Sequence, residues 1–177
     1  IIAVNLYGQM ANLKSLSRIS KKAGIYLIED AAQSYGAKNH DNMSCSIADI
    51  STTSFFPAKP LGCYGDGGAI YSKNQNLFEK ASIISRHGQK GRYNYLEVGV
   101  NSRLDTIQAA ILIEKHKIFE DEINMRNCVA NSYEDNLKEI DEIETPIIPN
   151  QSNRSVWAQY TVLLNDSIAK LREIIMK

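Results

Sequence analysis

The chain has 177 residues, 44% of them hydrophobic and 23% charged, and its twenty basic and twenty acidic residues cancel to a formal net charge of zero. That is the composition of one globular domain or a domain and a half, and it excludes a global electrostatic pull toward nucleic acid or an acidic membrane surface. No apolar run reaches the length of a membrane span and nothing reads as a signal peptide. Three scattered cysteines, Cys45, Cys63 and Cys128, fit neither a disulfide framework nor a zinc site, so the sequence reads as cytoplasmic.

Ile1 to Val4 reads as a buried strand, and a chain that opens on it without a methionine reads as the middle of a larger protein. From Asn12 to Ala23, Leu13, Leu16 and Ile19 recur at helical spacing, and Gly24 follows as a C-terminal stop. Ile25 to Ile28 is a second buried strand. Strand, helix, strand at this length predicts a βαβ unit, with parallel strands and a right-handed crossover. The second strand runs out at Glu29-Asp30, before the small residues Ala31-Ala32. Ligands of parallel α/β sheets bind at the carboxyl ends of strands, so Asp30 is placed as a ligand-facing carboxylate. The plainer alternative is a helix cap or turn residue.

Lys38 to Ser46 reads as a polar loop, Ser51 to Phe56 as a third strand and Ala69 to Ser72 as a fourth. The connection between the last two leaves no room for a crossover helix, so they are expected to be antiparallel. Within it, Lys59 stands between Pro57 and Pro60 and ahead of Gly62, Gly65, Gly67 and Gly68. Proline fixes φ, while glycine permits positive φ and close backbone approach. A lysine held in a stiff turn at a strand end, in a partly dry pocket, is of the kind that loses its proton and forms a Schiff base. Taken alone, the stretch also fits a surface loop that happens to contain a lysine.

Asn76 to Arg86 is a helix by the spacing of Leu77, Ala81 and Ile84. The loop from His87 to Val100 places Arg86, Lys90 and Arg92 near Tyr93 and Tyr95, which suits a phosphorylated ligand and equally suits a solvated loop. Ser102 and Asp105 have the spacing of a capping box, and Leu104, Ile107, Ile111, Leu112 and Ile118 make the buried face of the helix it starts. That helical pattern continues through Val129, Tyr133 and Leu137, so it spans a domain junction or breaks in two. Ile143 to Ile148 is extended, Ser155 to Leu164 is a strand, and Ser167 to Met176 starts another helix.

Asp30 at one strand end, Lys59 after the next strand and glycines beyond it make chemical sense together. A pyridoxal phosphate enzyme needs a lysine amine to hold the aldehyde as an imine. It also needs a carboxylate that keeps the pyridine nitrogen protonated, and donors for the phosphate. The sequence closely resembles the pyridoxal phosphate aminotransferases of fold type I that act on nucleotide-linked keto sugars, the DegT/DnrJ/EryC1/StrS family. The resemblance rests on LYGQMANL at residues 6 to 13, IEDAAQSYGA at 28 to 37, the lysine stretch, and EVGVNSRLDTIQAAIL at 97 to 112. It covers essentially the whole chain.

The resemblance implies an α/β fold. Residues 1–114 would be part of a three-layer αβα, aspartate aminotransferase-like cofactor domain, and 115–177 a linking helix and the start of a smaller α+β C-terminal domain. It implies pyridoxal 5'-phosphate as cofactor, with Lys59 and Asp30 as catalytic residues. Gln33 lies against the ring or its hydroxyl, Ser54 on the phosphate, and Asn101 reaches the phosphate of a neighbouring subunit in a homodimer with shared sites. Arg92 and Tyr93 are candidate substrate contacts. The implied reaction is transamination of a nucleotide-linked keto sugar, with L-glutamate as donor, for amino-sugar biosynthesis toward a surface polysaccharide or glycan. The tail RSVWAQYTVLL is most similar to enzymes that make 3-amino sugars from UDP-linked N-acetyl-hexuronates. Sugar dehydratases of the same fold carry histidine where this chain has Lys59. Two departures stand out: the family's N-terminal phosphate loop with its stacking aromatic residue is not in this sequence, and members continue past its end. The chain therefore reads as roughly half of a member, and a silent fragment that contributes only dimer surface is the competing expectation.

Overall fold

The computed structural model describes residues 1–149 and 153–165; the helix expected from Ser167 to Met176 lies outside them. In chain order the elements are β1 (Ile2–Val4), α1 (Leu13–Ala23), β2 (Ile28–Asp30), β3 (Lys38–Asn39), β4 (Asn42–Met43), β5 (Ile50–Ser54), β6 (Gly68–Tyr71), α2 (Gln75–Ser85), β7 (Gln89–Gly91), β8 (Asn94–Tyr95), α3 (Thr106–Lys117), α4 (Phe119–Leu137), β9 (Ile143–Glu144) and β10 (Leu163–Leu164). The central sheet is ordered β1-β2-β5-β6. Its first three strands are parallel, and β6 runs antiparallel to β5, as the short connection requires. Helix α1 makes the expected crossover. The Asn12 side chain accepts the Ser15 N–H at 3.1 Å, and Gly24 closes the helix in the left-handed region with φ 64°.

Register sorts the sheet's side chains into two faces. Ala3, Glu29 and Ser51 share one row and are buried, whereas Val4, Asp30 and Thr52 share the next, on the opposite face. The buried side is covered by Leu13 of α1 against Ala3 and Leu27. Beyond the strand ends, Phe55, Leu61 and Cys63 meet Leu112, Phe119, Ile123 and Val156 in a second cluster. On the Asp30 side, Ile2, Val4 and Ile70 are 69%, 50% and 47% exposed, so this face is open among the described residues.

Several boundaries differ from those read in the sequence. The second strand begins at Ile28 and not Ile25: Ile25 and Tyr26 are exposed, and the Leu27 N–H is taken by the Asp49 carboxylate at 2.8 Å before pairing with β1 starts. The third strand stops at Ser54, whose hydroxyl accepts the Phe56 N–H at 3.2 Å and turns the chain. The two stretches read as plain loops hold small hairpins, β3–β4 and β7–β8.

Ser102 is not a helix cap. Its N–H bonds the Ser85 carbonyl at 2.9 Å, and Val100 bonds Ile84 at 2.8 Å, so this stretch lies extended along the end of α2. Asp105 then takes the N-cap position without a side-chain cap bond. Of the expected buried face only Leu112 is buried; Ile107 and Ile118 are 73% and 52% exposed because no described element packs on that side. The long pattern does break in two, at Ile118.

The strand expected from Ser155 to Leu164 shrinks to β10, paired with β9. Trp157 sits at φ 47°, the Val156 N–H goes to the Gly8 carbonyl at 3.0 Å, and Trp157, Tyr160 and Tyr133 stack in series. These residues are spent on a bend and a ring stack, which no ladder accommodates. Gly8 is essential to that bend: at φ 91°, a Cβ there would lie 2.5 Å from the Trp157 nitrogen. Gly8→Ala should therefore destabilise the protein by about 2 kcal/mol or more, read as a lower Tm in thermal unfolding.

Candidate active site

The carboxyl ends of β1, β2 and β5 lie at one edge of the sheet, and three loops leave from it. Asp30 ends β2, flanked by β1 and β5, and is half-buried. Its Oδ1 accepts the Ala32 N–H at 3.0 Å, which turns the chain. Among the described residues, Oδ2 has no hydrogen-bond partner and the carboxylate has no ion pair. Gln33 lies in the turn that follows, and its Oε1 accepts the Tyr7 N–H at 2.7 Å. A backbone N–H can only donate, so the amide's orientation is set and Nε2 is the end left free. Tyr7 holds this contact from the left-handed region, at φ 58°.

Ser54 ends β5. Its oxygen accepts from Phe56, so its own O–H remains available to donate. Lys59 follows in a turn closed by its N–H on the Phe56 carbonyl at 2.8 Å. The chain then doubles back, with the Cys63 N–H and thiol both on the Phe55 carbonyl, at 2.8 and 3.0 Å. That return needs Gly62: a Cβ there would meet the Pro57 carbonyl oxygen at 2.6 Å. None of Gly62, Gly65, Gly67 and Gly68 adopts a positive φ. Of the two properties expected of these glycines, the turn uses close approach alone. Lys59 is half-buried, and among the described residues its Nζ has neither an ion pair nor a hydrogen bond.

The structure thus brings Asp30, Gln33, Ser54 and Lys59 to one sheet edge. Asn101 is held differently. It is exposed, bridged to Arg86, and its Oδ1 accepts from Arg103 Nε at 2.8 Å. With Thr52, Gly68 and Arg86 it lines a cavity of about 690 Å³. Arg92 and Tyr93 sit at the turn of the β7–β8 hairpin, both exposed, with the guanidinium 5.1 Å over the Tyr93 ring centroid; they make no bond to the edge group.

One buried group went unread in the sequence. Glu29 is fully buried beside Asp30 and accepts from Asn5, Ser44, Cys45 and Ser51. Period-two alternation was the available signal: with Asp30 aimed at a ligand, its neighbour must point into the core. Burial, reinforced by the negative charge of Glu29, pushes the Cys45 thiol up to about 12. A raised thiol pKa means a neutral thiol across the physiological range, and at pH 8 about a thousandfold less thiolate than an ordinary cysteine. In a thiol-reagent time course at pH 8, exposed Cys128 should react in a fast phase and Cys45 far more slowly; a variant with Cys63→Ala and Cys128→Ser leaves Cys45 as the one thiol to follow. Comparable rates for the two would show that the Ser44-Cys45 loop does not hold its contact with Glu29.

Residues 1–177 match the family model described as the DegT/DnrJ/EryC1/StrS aminotransferase family. The UDP-2-acetamido-2-deoxy-3-oxo-D-glucuronate aminotransferase of Pseudomonas aeruginosa is 52% identical over 166 residues, covering 94% of this chain and 46% of that protein. A DegT DnrJ EryC1 StrS aminotransferase from Brucella abortus matches in structure with a TM-score of 0.88 at 41% identity, over 98% of this chain and 47% of the other. NtdA from Bacillus subtilis, solved with bound cofactor PMP, matches with a TM-score of 0.86 at 28% identity, over 100% of this chain and 40% of the other. The chain spans about half the length of the proteins it matches. With an α/β sheet of mixed direction and the fold of these aminotransferases, the chain belongs to the DegT/DnrJ/EryC1/StrS aminotransferase family.

Proposed function

We propose that the protein carrying this chain is a pyridoxal 5'-phosphate-dependent aminotransferase that moves an amino group from L-glutamate to a nucleotide-linked keto sugar. One observation carries the reading: at a single sheet edge, Lys59, Asp30 Oδ2, the Ser54 O–H and the Gln33 amide nitrogen have no hydrogen-bond partner among the described residues. An amine, a carboxylate and two donors are the set that an aldehyde, a ring nitrogen, a phosphate and a ring oxygen need. When bound, the cofactor supplies an aldehyde that condenses with amines and a protonated ring that withdraws electrons from the adjoining carbon.

Lys59 would hold that aldehyde, and its amine, when free, would carry the proton that the transfer displaces. Asp30 Oδ2 would accept from the ring nitrogen in a charge-assisted bond and keep it protonated. Gln33 Nε2 would donate to the ring oxygen, and Ser54 to the phosphate. Arg92 and Tyr93, on their exposed hairpin, meet the sugar nucleotide. The 52% identity to an enzyme named for a UDP-linked 3-oxo sugar supports a UDP-linked 3-keto hexuronate as substrate.

Asn101 serves the phosphate of a second copy. Exposed apolar side chains flank it on either side, Tyr95, Val98 and Val100 before it and Ile107 after it, and such a patch fits a homodimer interface. In this reading residues 1–114 belong to the cofactor domain, and 115–177 form the linking helix and the start of a smaller domain. Among the described residues no helix is long and apolar enough to cross a membrane.

Borohydride treatment of the full-length protein with pyridoxal phosphate should attach the cofactor to Lys59, located by peptide mapping; a label on another lysine overturns the assignment. Asp30→Asn should bind cofactor but turn over about 10- to 100-fold more slowly, the loss of a charged hydrogen bond. Near-normal turnover would mean that a different carboxylate faces the ring. Lys59→Ala and Asn101→Ala subunits, inactive apart, should on mixing recover up to about half the wild-type activity per mixed dimer, because both lesions then fall in one of two sites. No recovery would place Asn101 within its own subunit's site or outside both.

A further inference from the structure

We infer that Glu29 is the positioning residue of the cofactor edge: without touching a ligand, its buried carboxylate sets where Asp30 and Gln33 stand. The inference rests on the reading of that edge as a pyridoxal phosphate site. Glu29 has no exposed surface and, among the described residues, no basic partner. It is satisfied by neutral donors alone. Oε1 accepts from Asn5 Nδ2 at 2.8 Å and Ser44 Oγ at 2.9 Å, Oε2 accepts from Ser51 Oγ at 2.8 Å, and the Cys45 N–H is shared between the two oxygens at 3.1 and 3.0 Å. These donors come from the exit of β1, the segment after β4, and β5. A carboxylate paired with one arginine is satisfied locally. One satisfied by donors from separate segments is satisfied only while all of them keep their places, since each lost bond leaves a buried polar atom unpaired.

Asn5 carries the effect to the edge. Its N–H donates to the Asp30 carbonyl at 3.0 Å, and its Oδ1 accepts the Ala11 N–H at 2.9 Å. Its Nδ2 bonds Glu29 and also Ser34 Oγ at 2.8 Å, in the turn that holds Gln33. Ser34 Oγ in turn lies 2.8 Å from Ser44 Oγ, and the Ser34 N–H closes the turn on the Ala31 carbonyl at 3.0 Å. Asn5 also begins the loop whose Tyr7 N–H orients the Gln33 amide. The backbone on both sides of Asp30 and the turn bearing Gln33 are thereby tied to one buried carboxylate on the far face of the strand.

The test is Glu29→Gln in the full-length protein. The amide keeps shape and one oxygen but turns an NH₂ toward fixed donors, the Cys45 N–H or the Asn5 amide, which cannot reverse as a serine hydroxyl can. Pyridoxal phosphate is titrated into apoprotein well below its Tm, following absorbance and the visible circular dichroism of the bound chromophore. Ala130→Gly, which weakens α4 at a buried position outside the network, serves as the control for lost stability. Affinity weaker by about 10- to 100-fold together with a reduced dichroic signal, against a normal titration for Ala130→Gly, is the expected result. Unchanged affinity and dichroism in Glu29→Gln, even with a lower Tm, overturns the inference and leaves Glu29 a structural residue. Failure of the parent protein to bind pyridoxal phosphate overturns the reading of the site itself, and the inference with it. Should Glu29→Gln not fold, Ser51→Ala decides: loss of one donor should weaken binding several-fold, and no change overturns the proposal.

Discussion

The pairing of Val4 with Asp30 and of Asp30 with Thr52 is the constraint on which the candidate site depends. Side chains alternate across a strand, so a slip of one residue in β2 would exchange Asp30 and Glu29 between faces. The carboxylate that faces the open side would enter the core, and the one built for the core would face out. Nothing in the strand's own composition prevents this, since both residues are acidic and of similar β propensity. What prevents it is the set of neutral donors around Glu29, placed for the longer side chain at that position only. A buried acceptor without them leaves polar atoms unpaired, at about 1–3 kcal/mol each. The register is thus held from the buried side, and Asp30 is left free to meet something else on the other.

The same division of labour recurs in the lysine turn. The Ser54 oxygen and Cys63 close the bend on Phe56 and Phe55, so that Lys59 has no such task and the Ser54 O–H is still free to donate. Pro57 stiffens the turn's entry, and Gly62 lets the returning strand lie against the Pro57 carbonyl. Polar groups that hold backbone sit behind the edge, while polar groups without a partner sit on it. Gln33 belongs to both sets, one end of its amide tied to Tyr7 and the other free.

Much of this was legible from residue order alone. Strand, helix, strand with Gly24 as the stop gave the parallel unit, and the short Gly/Pro connection gave the antiparallel β6. Together they place Asp30 at one strand end and Lys59 after the next strand. Glu29 was not legible in the same way, because its donors come from Asn5, Ser44 and Ser51, which only the tertiary fold assembles. Trp157 was misread for a related reason. Aromatic and β-branched residues signal a strand, but here the stacking of Trp157, Tyr160 and Tyr133 and the bond from Val156 to Gly8 outweigh local propensity. The Ser102 cap failed because a capping signal is conditional on the N–H groups being free, and the Ser102 N–H is already committed to Ser85.

Helix α3 shows where a correct reading of side chains and a wrong reading of surroundings part. Ile107, Ile113 and Ile118 are exposed while Leu112 is buried, so apolar residues stand on more than one side of the helix. A helix apolar all round is one meant to be covered all round. The sheet carries the same message, for parallel strands normally have both faces covered, yet Ile2, Val4 and Ile70 are open. The hydrophobic pattern of α3 therefore described its chemistry faithfully, and the error lay in assuming that this stretch of chain supplies the cover. The open face of the sheet is also the one that presents Asp30, and a carboxylate meant for a ring nitrogen gains strength as water is excluded around it. Covering the face of Ile2, Val4 and Ile70 would complete the fold and sharpen the site through the same contacts.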